Sequence, residues 1–198
     1  MYERDPNIRD RQSFVSKEGA RYEDFIINIL KSDPYINENA IIIKGMRQEK
    51  TGKITLDESG RISIDTSVIK INYNSNGITA SFLLDNDIIV YSKKREEIVC
   101  IISVKKSFRE RGGETAYWMV KKREANKPFM YILATPDSDQ ELFDPRNPTK
   151  KNKWRSILTA EMDGVFVINE ENKELEYEEQ NFKVGKRYFI EFIKSLLD

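Results

Sequence analysis

Histidine is missing altogether from this 198-residue chain. Its absence excludes nucleases with a histidine general base, histidine-containing zinc fingers and Ser-His hydrolases. Cysteine occurs once, at Cys100 inside an apolar run, so neither an intrachain disulfide nor a cysteine-based zinc site can form. That usage fits a reducing compartment, and Cys100 reads as a buried structural thiol. No run is long or apolar enough to span a membrane, and the charged N-terminus lacks the apolar core of a signal peptide. The expectation is a cytoplasmic protein with no membrane partner. Net charge is absent too, with 33 cations against 33 anions, which argues against a generic polyanion binder. Any hydrolysis must then rest on carboxylates, lysine and a hard metal ion with oxygen ligands.

What is present is a well-marked hairpin. Ile88–Tyr91 and Ile98–Val104 are apolar, β-branched runs on either side of the charged turn Lys93–Glu97. Asp85 and Asp87 stand where the first strand starts, and Ser103 and Lys105 where the second ends. In an antiparallel pair those ends are adjacent, so Asp87 and Lys105 are expected to face each other across the ladder. A carboxylate and an ammonium leaving one strand pair can hold a divalent cation and a phosphate together, as metal-assisted phosphodiester hydrolysis requires. The competing reading is a hairpin whose ends happen to be charged, because one Asp and one Lys make a weak motif.

The arrangement resembles the PD-(D/E)xK nucleases, in which an Asp opens one strand and an acid-x-Lys closes the next. Here the first motif is Asn86-Asp87 and the second is Ser103-Val104-Lys105. The Ser-x-Lys form is similar to one branch, the type II restriction endonucleases that cut sites containing CCGG or CC and GG separated by a spacer. In that branch the missing acid comes from the helix after the Lys strand, and an Arg-acid-Arg tripeptide reads the C·G pairs. This chain has Arg109-Glu110-Arg111 shortly after Lys105, and then Glu114. The resemblance covers residues 85–118 closely and the rest in outline.

The resemblance implies a Mg²⁺-dependent endonuclease acting on palindromic double-stranded DNA in a prokaryotic cytoplasm. It further implies a homodimer and a cognate DNA methyltransferase in the same restriction-modification system. Asp87, Glu114 and the Val104 carbonyl would hold the metal, Lys105 would assist the attacking water, and Ser103 stands in the acid's place. Many members add a helical Glu near the metal, which makes Glu23 a further candidate ligand; a solvated helix face is the other reading. For Glu114, the helix dipole alone also favours an acid in a first turn.

The tripeptide has its own chemistry. Arginine donates two parallel hydrogen bonds to guanine, and a carboxylate accepts from cytosine N4. Charge is segregated along the chain: positions 105–127 hold eight cations and three acids, and Arg146–Arg155 holds five cations and no acid. Lys106, Lys121, Lys122, Lys150, Lys151 and Arg155 are therefore expected at DNA phosphates, and Arg47 in the Gly45–Lys53 loop at DNA or on a plain surface. A decoy is present as well. Pro136-Asp137 followed by Glu171-Asn172-Lys173 spells the nuclease pattern literally, but its acid and lysine fall in a polar turn where nothing orders them.

Length and a hydrophobic content of 39% predict one α/β domain over residues 1–198, with a mixed central sheet flanked by helices. Residues 1–16 read as a loose arm with a short helix, and Lys17–Lys31 as a helix. Strands are predicted at Ala40–Lys44, near Ile62–Ile64 and at Val68–Tyr73, with Ile78–Leu84 leading into the central hairpin. A helix over Glu114–Asn126 and a strand over Pro128–Thr135 imply a crossover and a parallel pair. Then follow a helix at Lys153–Glu161, a strand at Gly164–Ile168, Leu175–Glu179 pairing back through the Asn169–Lys173 turn, and an amphipathic helix at Lys186–Leu197. Two other functions stay open: a structure-specific repair or recombination nuclease, and a non-catalytic DNA-binding module.

Overall fold

The computed structural model describes residues 6–45, 53–55, 63–108, 112–170 and 175–198. The chain opens with α1 (Pro6–Ser32) and α2 (Pro34–Asn39). Asp33 separates them, its carboxylate capping Ile36 N at 3.1 Å with Pro34 in the first helical turn. The first helix begins well before the predicted Lys17, and α2 was not foreseen; a proline next to a capping acid restarts a helix as readily as it ends one.

Next come β1 (Ala40–Lys44), the short pair β2 (Lys53–Thr55) and β3 (Ser63–Asp65), a 3₁₀ turn at Thr66–Ile69, and the hairpin β4 (Lys70–Ser75) and β5 (Ile78–Leu83). The strand predicted from Val68 thus starts two residues later. The central hairpin is β6 (Ile88–Ser92) and β7 (Glu97–Val104), within one residue of the apolar runs that announce it. A helix, α3 (Gly112–Glu124), crosses to β8 (Met130–Thr135), which lies parallel to β7. The chain closes with α4 (Lys153–Glu161), β9 (Gly164–Val167), β10 (Tyr177–Glu179), β11 (Phe182–Val184) and α5 (Lys186–Ser195). Residues 175–179 do not fold back on β9 as predicted. They pair antiparallel with β11, a strand missed in the sequence, and β11 runs parallel beside β9.

The result is the mixed, helix-flanked sheet expected from the sequence: seven strands in the order β1-β6-β7-β8-β9-β11-β10. Two apolar layers cover its faces. On one, Ile89, Ile101, Tyr131 and Leu133 pack with Met119 of α3 and Leu158 of α4. On the other, Val90, Cys100, Ile102 and Ile132 pack with Tyr22, Ile26 and Leu30 of α1 and Phe189 and Ile193 of α5. The apolar stripe of the last helix therefore belongs to the core. A register shift between Val90 and Tyr91 leaves Val99 as an extra residue in β7. Val99 and Cys100 consequently share the α1 layer while Ile98 and Ile101 share the α3 layer. Burial pushes the Cys100 thiol well above its ordinary pKa, which keeps it inert.

Two features aim the β6–β7 end of the sheet. The Asp87 amide donates to Ile102 O at 3.2 Å, and its carbonyl accepts from Gly45 N at 2.7 Å, so the peptide is clamped by a strand on each side. Gly45 lies so close that a Cβ there would stand 1.7 Å from Asn86 O. No side chain fits at 45 without displacing the Asn86–Asp87 backbone. Gly45→Ala should accordingly destabilise the fold by roughly 2–3 kcal/mol. A thermal unfolding midpoint equal to that of wild type would show that this approach is not obligatory.

Candidate active site

β7 is a near-continuous β-branched run, and its last apolar residue, Val104, is followed by a lysine. By alternation Ser103 and Lys105 leave the strand on the α3 side, two and four residues beyond Ile101. β6 begins at Ile88 opposite Ile102, so the segment before it brings its acids alongside the end of β7. Lys105 Nζ lies 3.2 Å from Asp87 Oδ2 and 2.9 Å from Asp85 Oδ2. Asp87 Oδ2 also accepts the Val104 amide at 2.7 Å, and Ser103 Oγ approaches Asp85 Oδ2 at 3.4 Å.

The expected Asp87–Lys105 contact is therefore present, and it has a third member. Asp85 carries no assigned role in the sequence reading, yet it binds the lysine more closely than Asp87 does. Alternation held the clue, because an acid two residues before Asp87 projects to the same side of an extended chain. Asn86 between them is buried and ties its amide to Leu84 O at 2.6 Å, which keeps it out of the cluster.

Lys105 is only 9% exposed, against 25% for Asp85 and 18% for Asp87. Burial raises the Asp87 pKa above the ordinary carboxylate value; Lys105 pulls it down and Asp85 pushes it up. Burial works against the Lys105 charge, but Asp87 and Asp85 together outweigh it and raise the lysine pKa. The lysine shift favours the charged ammonium at this point, while burial works against the Asp87 carboxylate that it holds. Tyr131 closes the floor of the site. Its hydroxyl is fully buried beside Ser103 without a well-formed hydrogen bond, and burial followed by the Asp85 charge drives its pKa well above the ordinary phenol value.

The remaining predicted residues divide. Glu114 lies exposed in the first turn of α3, near enough for its charge to act on the Tyr131 hydroxyl, and no contact joins it to Asp87 or Lys105. Glu23 is buried on the α1 side, and its carboxylate is engaged by Lys44 at 3.6 Å. Lys106 is half-buried and pairs with Glu18 at 2.9 Å. Lys121 bonds Glu124 at 2.6 Å and sits over the Tyr73 and Tyr117 rings, while Lys151 pairs with Glu179. Arg47, Arg109, Glu110 and Arg111 lie outside the described residues.

Two expected phosphate contacts are corrected by burial. Lys122 is buried, with its ammonium 2.9 Å from Asp163 Oδ2, which also accepts Tyr131 N at 2.7 Å and so ties α3 to the start of β8. Arg155 is 1% exposed; it donates to Pro148 O and Glu179 Oε2 and stacks on Phe182 at 4.2 Å. Neither cation is offered to solvent. The decoy resolves as well. Asp137 is a buried loop cap that accepts Leu142 N at 3.1 Å and Phe143 N at 2.8 Å, while Glu171 and Lys173 lie outside the described residues.

As a donor set, the centre offers oxygen ligands: two carboxylates converging on a point taken by an ammonium. A Mg²⁺ ion suits such a place, since it is commonly bound by one or two carboxylates and completes its shell with water and phosphate oxygens. Among the described residues no three His, Cys, Asp or Glu side chains gather into a metal cluster, so an all-protein cage is not what is built.

Known proteins share this chain's pattern. A sequence model of the family described as BsaWI restriction endonuclease type 2 matches residues 67–191, well over half of the chain. A Methanocaldococcus jannaschii protein named as the type II restriction enzyme MjaVIP is 34% identical over 171 residues, covering 83% of this chain and 70% of that protein. A Helicobacter pylori protein named as the type II restriction enzyme HpyAORF263P is 29% identical over 142 residues, covering 69% and 66%. The crystal structure of a pre-specific restriction endonuclease BsaWI–DNA complex superposes with a TM-score of 0.51 at 13% identity, covering 98% of this chain and 68% of that one, a likeness of fold.

Asp137 provides a pH test of the loop cap next to this end of the sheet. Burial raises its pKa from 3.8 to about 6 against the pull of the Phe143 and Leu142 amides. A carboxyl raised in the folded state costs stability as it ionises, so the penalty grows between pH 3.8 and about 6 and is constant above. Asp137→Asn escapes that penalty. The stability of the variant relative to wild type should rise across this interval by up to about 3 kcal/mol and then level off. A difference independent of pH in denaturant titrations would contradict this.

Proposed function

Since this chain belongs to the BsaWI family of type 2 restriction endonucleases and is thus a site-specific endonuclease, we propose that it is a PD-(D/E)xK enzyme that hydrolyses phosphodiesters at a palindromic double-stranded site containing CC…GG, with Mg²⁺ as cofactor. The observation that carries this reading is the convergence of Asp85, Asp87 and Lys105 within hydrogen-bond distance at the end of the central hairpin. Residues 1–198 act as one endonuclease domain, and a homodimer matches the two-fold symmetry of the site. A methyltransferase protecting the same site completes the system without contact to this chain.

Asp87 and Asp85 would hold the cation, with the Val104 carbonyl adjoining, and Glu114 facing the substrate side as a further carboxylate. A Mg²⁺ ion held there would supply water activation and charge neutralisation at the phosphate. Lys105, released from the carboxylates, orients the attacking water and stabilises charge at the phosphoryl oxygens. Ser103 keeps Asp85 in place. Arg109, Glu110 and Arg111 read C·G pairs from the segment between Lys105 and α3, while Lys106, Lys121 and Lys151 bear on phosphates once their local acids yield to DNA.

Incubating the protein with Mg²⁺ and DNA of known sequence should give discrete fragments ending at one recurring sequence. Nicking that follows junctions or mismatches would instead indicate a repair nuclease, and binding without any cleavage in Mg²⁺ or Mn²⁺ a binding module. Lys105→Ala should lower the cleavage rate by about a hundredfold or more while DNA affinity stays within a few-fold. Arg109→Ala should lose about 1–3 kcal/mol of binding at the cognate site alone; an equal loss on random DNA would reduce Arg109 to a phosphate contact.

A further inference from the structure

Tyr131 carries an anomaly that packing does not explain. It is 0% exposed in the layer beneath α3, yet its hydroxyl makes no well-formed hydrogen bond and has only the Ser103 hydroxyl beside it. Buried hydroxyls are nearly always paired, and one without a good partner destabilises the fold relative to a phenylalanine of the same shape. Strand register shows where the hydroxyl points. Tyr131 on β8 is level with Ile101 on β7, Leu133 is level with Ser103, and all four share one face. Diagonal neighbours on adjacent strands are within reach of an aromatic side chain, which brings the phenol to Ser103. Ser103 Oγ in turn stands 3.4 Å from Asp85 Oδ2, a long contact to the same oxygen that Lys105 bonds at 2.9 Å.

On the proposed reading Lys105 turns from the carboxylates to the phosphodiester. When it turns to the substrate, Asp85 loses its short hydrogen bond, and Ser103 is the neighbouring donor left to replace it. A serine that donates its only proton to Asp85 can accept one from a phenol. We infer that Tyr131 is a positioning residue, whose hydroxyl donates to Ser103 Oγ so that Ser103 donates to Asp85 and fixes that carboxylate once Lys105 has left it. The inference rests on Asp85, Asp87 and Lys105 being the catalytic centre.

Tyr131→Phe deletes one oxygen and keeps the ring, so its unfolding midpoint should equal or exceed that of wild type. Its cleavage rate with Mg²⁺ should fall about 10-fold or more with KM for DNA unchanged, the usual scale for groups that orient metal ligands. The rise in unfolding midpoint produced by millimolar Mn²⁺, a readout independent of turnover, should be smaller than in wild type. Ser103→Ala combined with Tyr131→Phe should be no slower than Ser103→Ala alone, because the phenol acts through the serine. Wild-type rate and Mn²⁺ response in Tyr131→Phe, or additive losses in the double variant, would overturn the inference. Full activity in Lys105→Ala, or no Mn²⁺ response in the wild type, would instead remove the centre on which it depends.

Discussion

The architecture converges on one electrostatic constraint: two carboxylates at the edge of an apolar core must share a single ammonium. Left alone, Asp85 and Asp87 would repel each other while losing hydration. Lys105 makes their proximity tolerable, and it can do so only because three strands are fixed at their ends. An ion cluster of this kind contributes little net stability, since desolvation consumes most of the Coulombic attraction. Its presence at the end of an almost wholly buried strand is therefore better explained by chemistry than by folding. An ammonium between two acids also marks a place where a divalent cation would be welcomed and a phosphate would follow.

The rest of the fold serves that point. β6 and β7 lie inside a seven-stranded sheet, with β1 on one side and β8 on the other, so neither strand bearing the charges is an edge. Gly45 yields its side chain so that β1 can clamp the Asp87 peptide. The α3 crossover begins at Gly112, which backs directly onto the Trp154 ring, where a Cβ would come within 2.5 Å. The segment proposed to read bases is thus strung between Lys105 and a helix start anchored on α4. On the proposed reading, chemistry and recognition would share one short stretch of chain, which would keep the scissile phosphate at a set distance from the bases that are read.

Much of this was legible because β-branched runs leave few alternatives. The β6–β7 hairpin, the strand at Met130–Thr135 and the helix at Lys153–Glu161 follow from periodicity and from Pro128, and the Asp87–Lys105 contact follows from antiparallel geometry. Short elements escaped: β11 is three residues long, and its hairpin with β10 turns at Gln180-Asn181, which lacks the glycine that usually marks such a turn. Asp85 escaped because an acid before a strand commonly faces water, and its role appears only when Lys105 is seen to reach it. Lys122 and Arg155 show the converse limit. In a basic run every cation looks like a surface charge, and only the positions of Asp163 and Glu179 reveal which ones fold inward.

Where the cation binds is the most direct test. A crystal structure with cognate DNA and Mn²⁺, recorded at the manganese edge, would locate the ion by anomalous scattering. Density coordinated by the carboxylate oxygens of Asp87 and Asp85, with the Lys105 ammonium moved toward the scissile phosphate, is the expected result. An ion held elsewhere, with Lys105 still clasped between the two acids, would contradict the assignment of this hairpin as the catalytic centre.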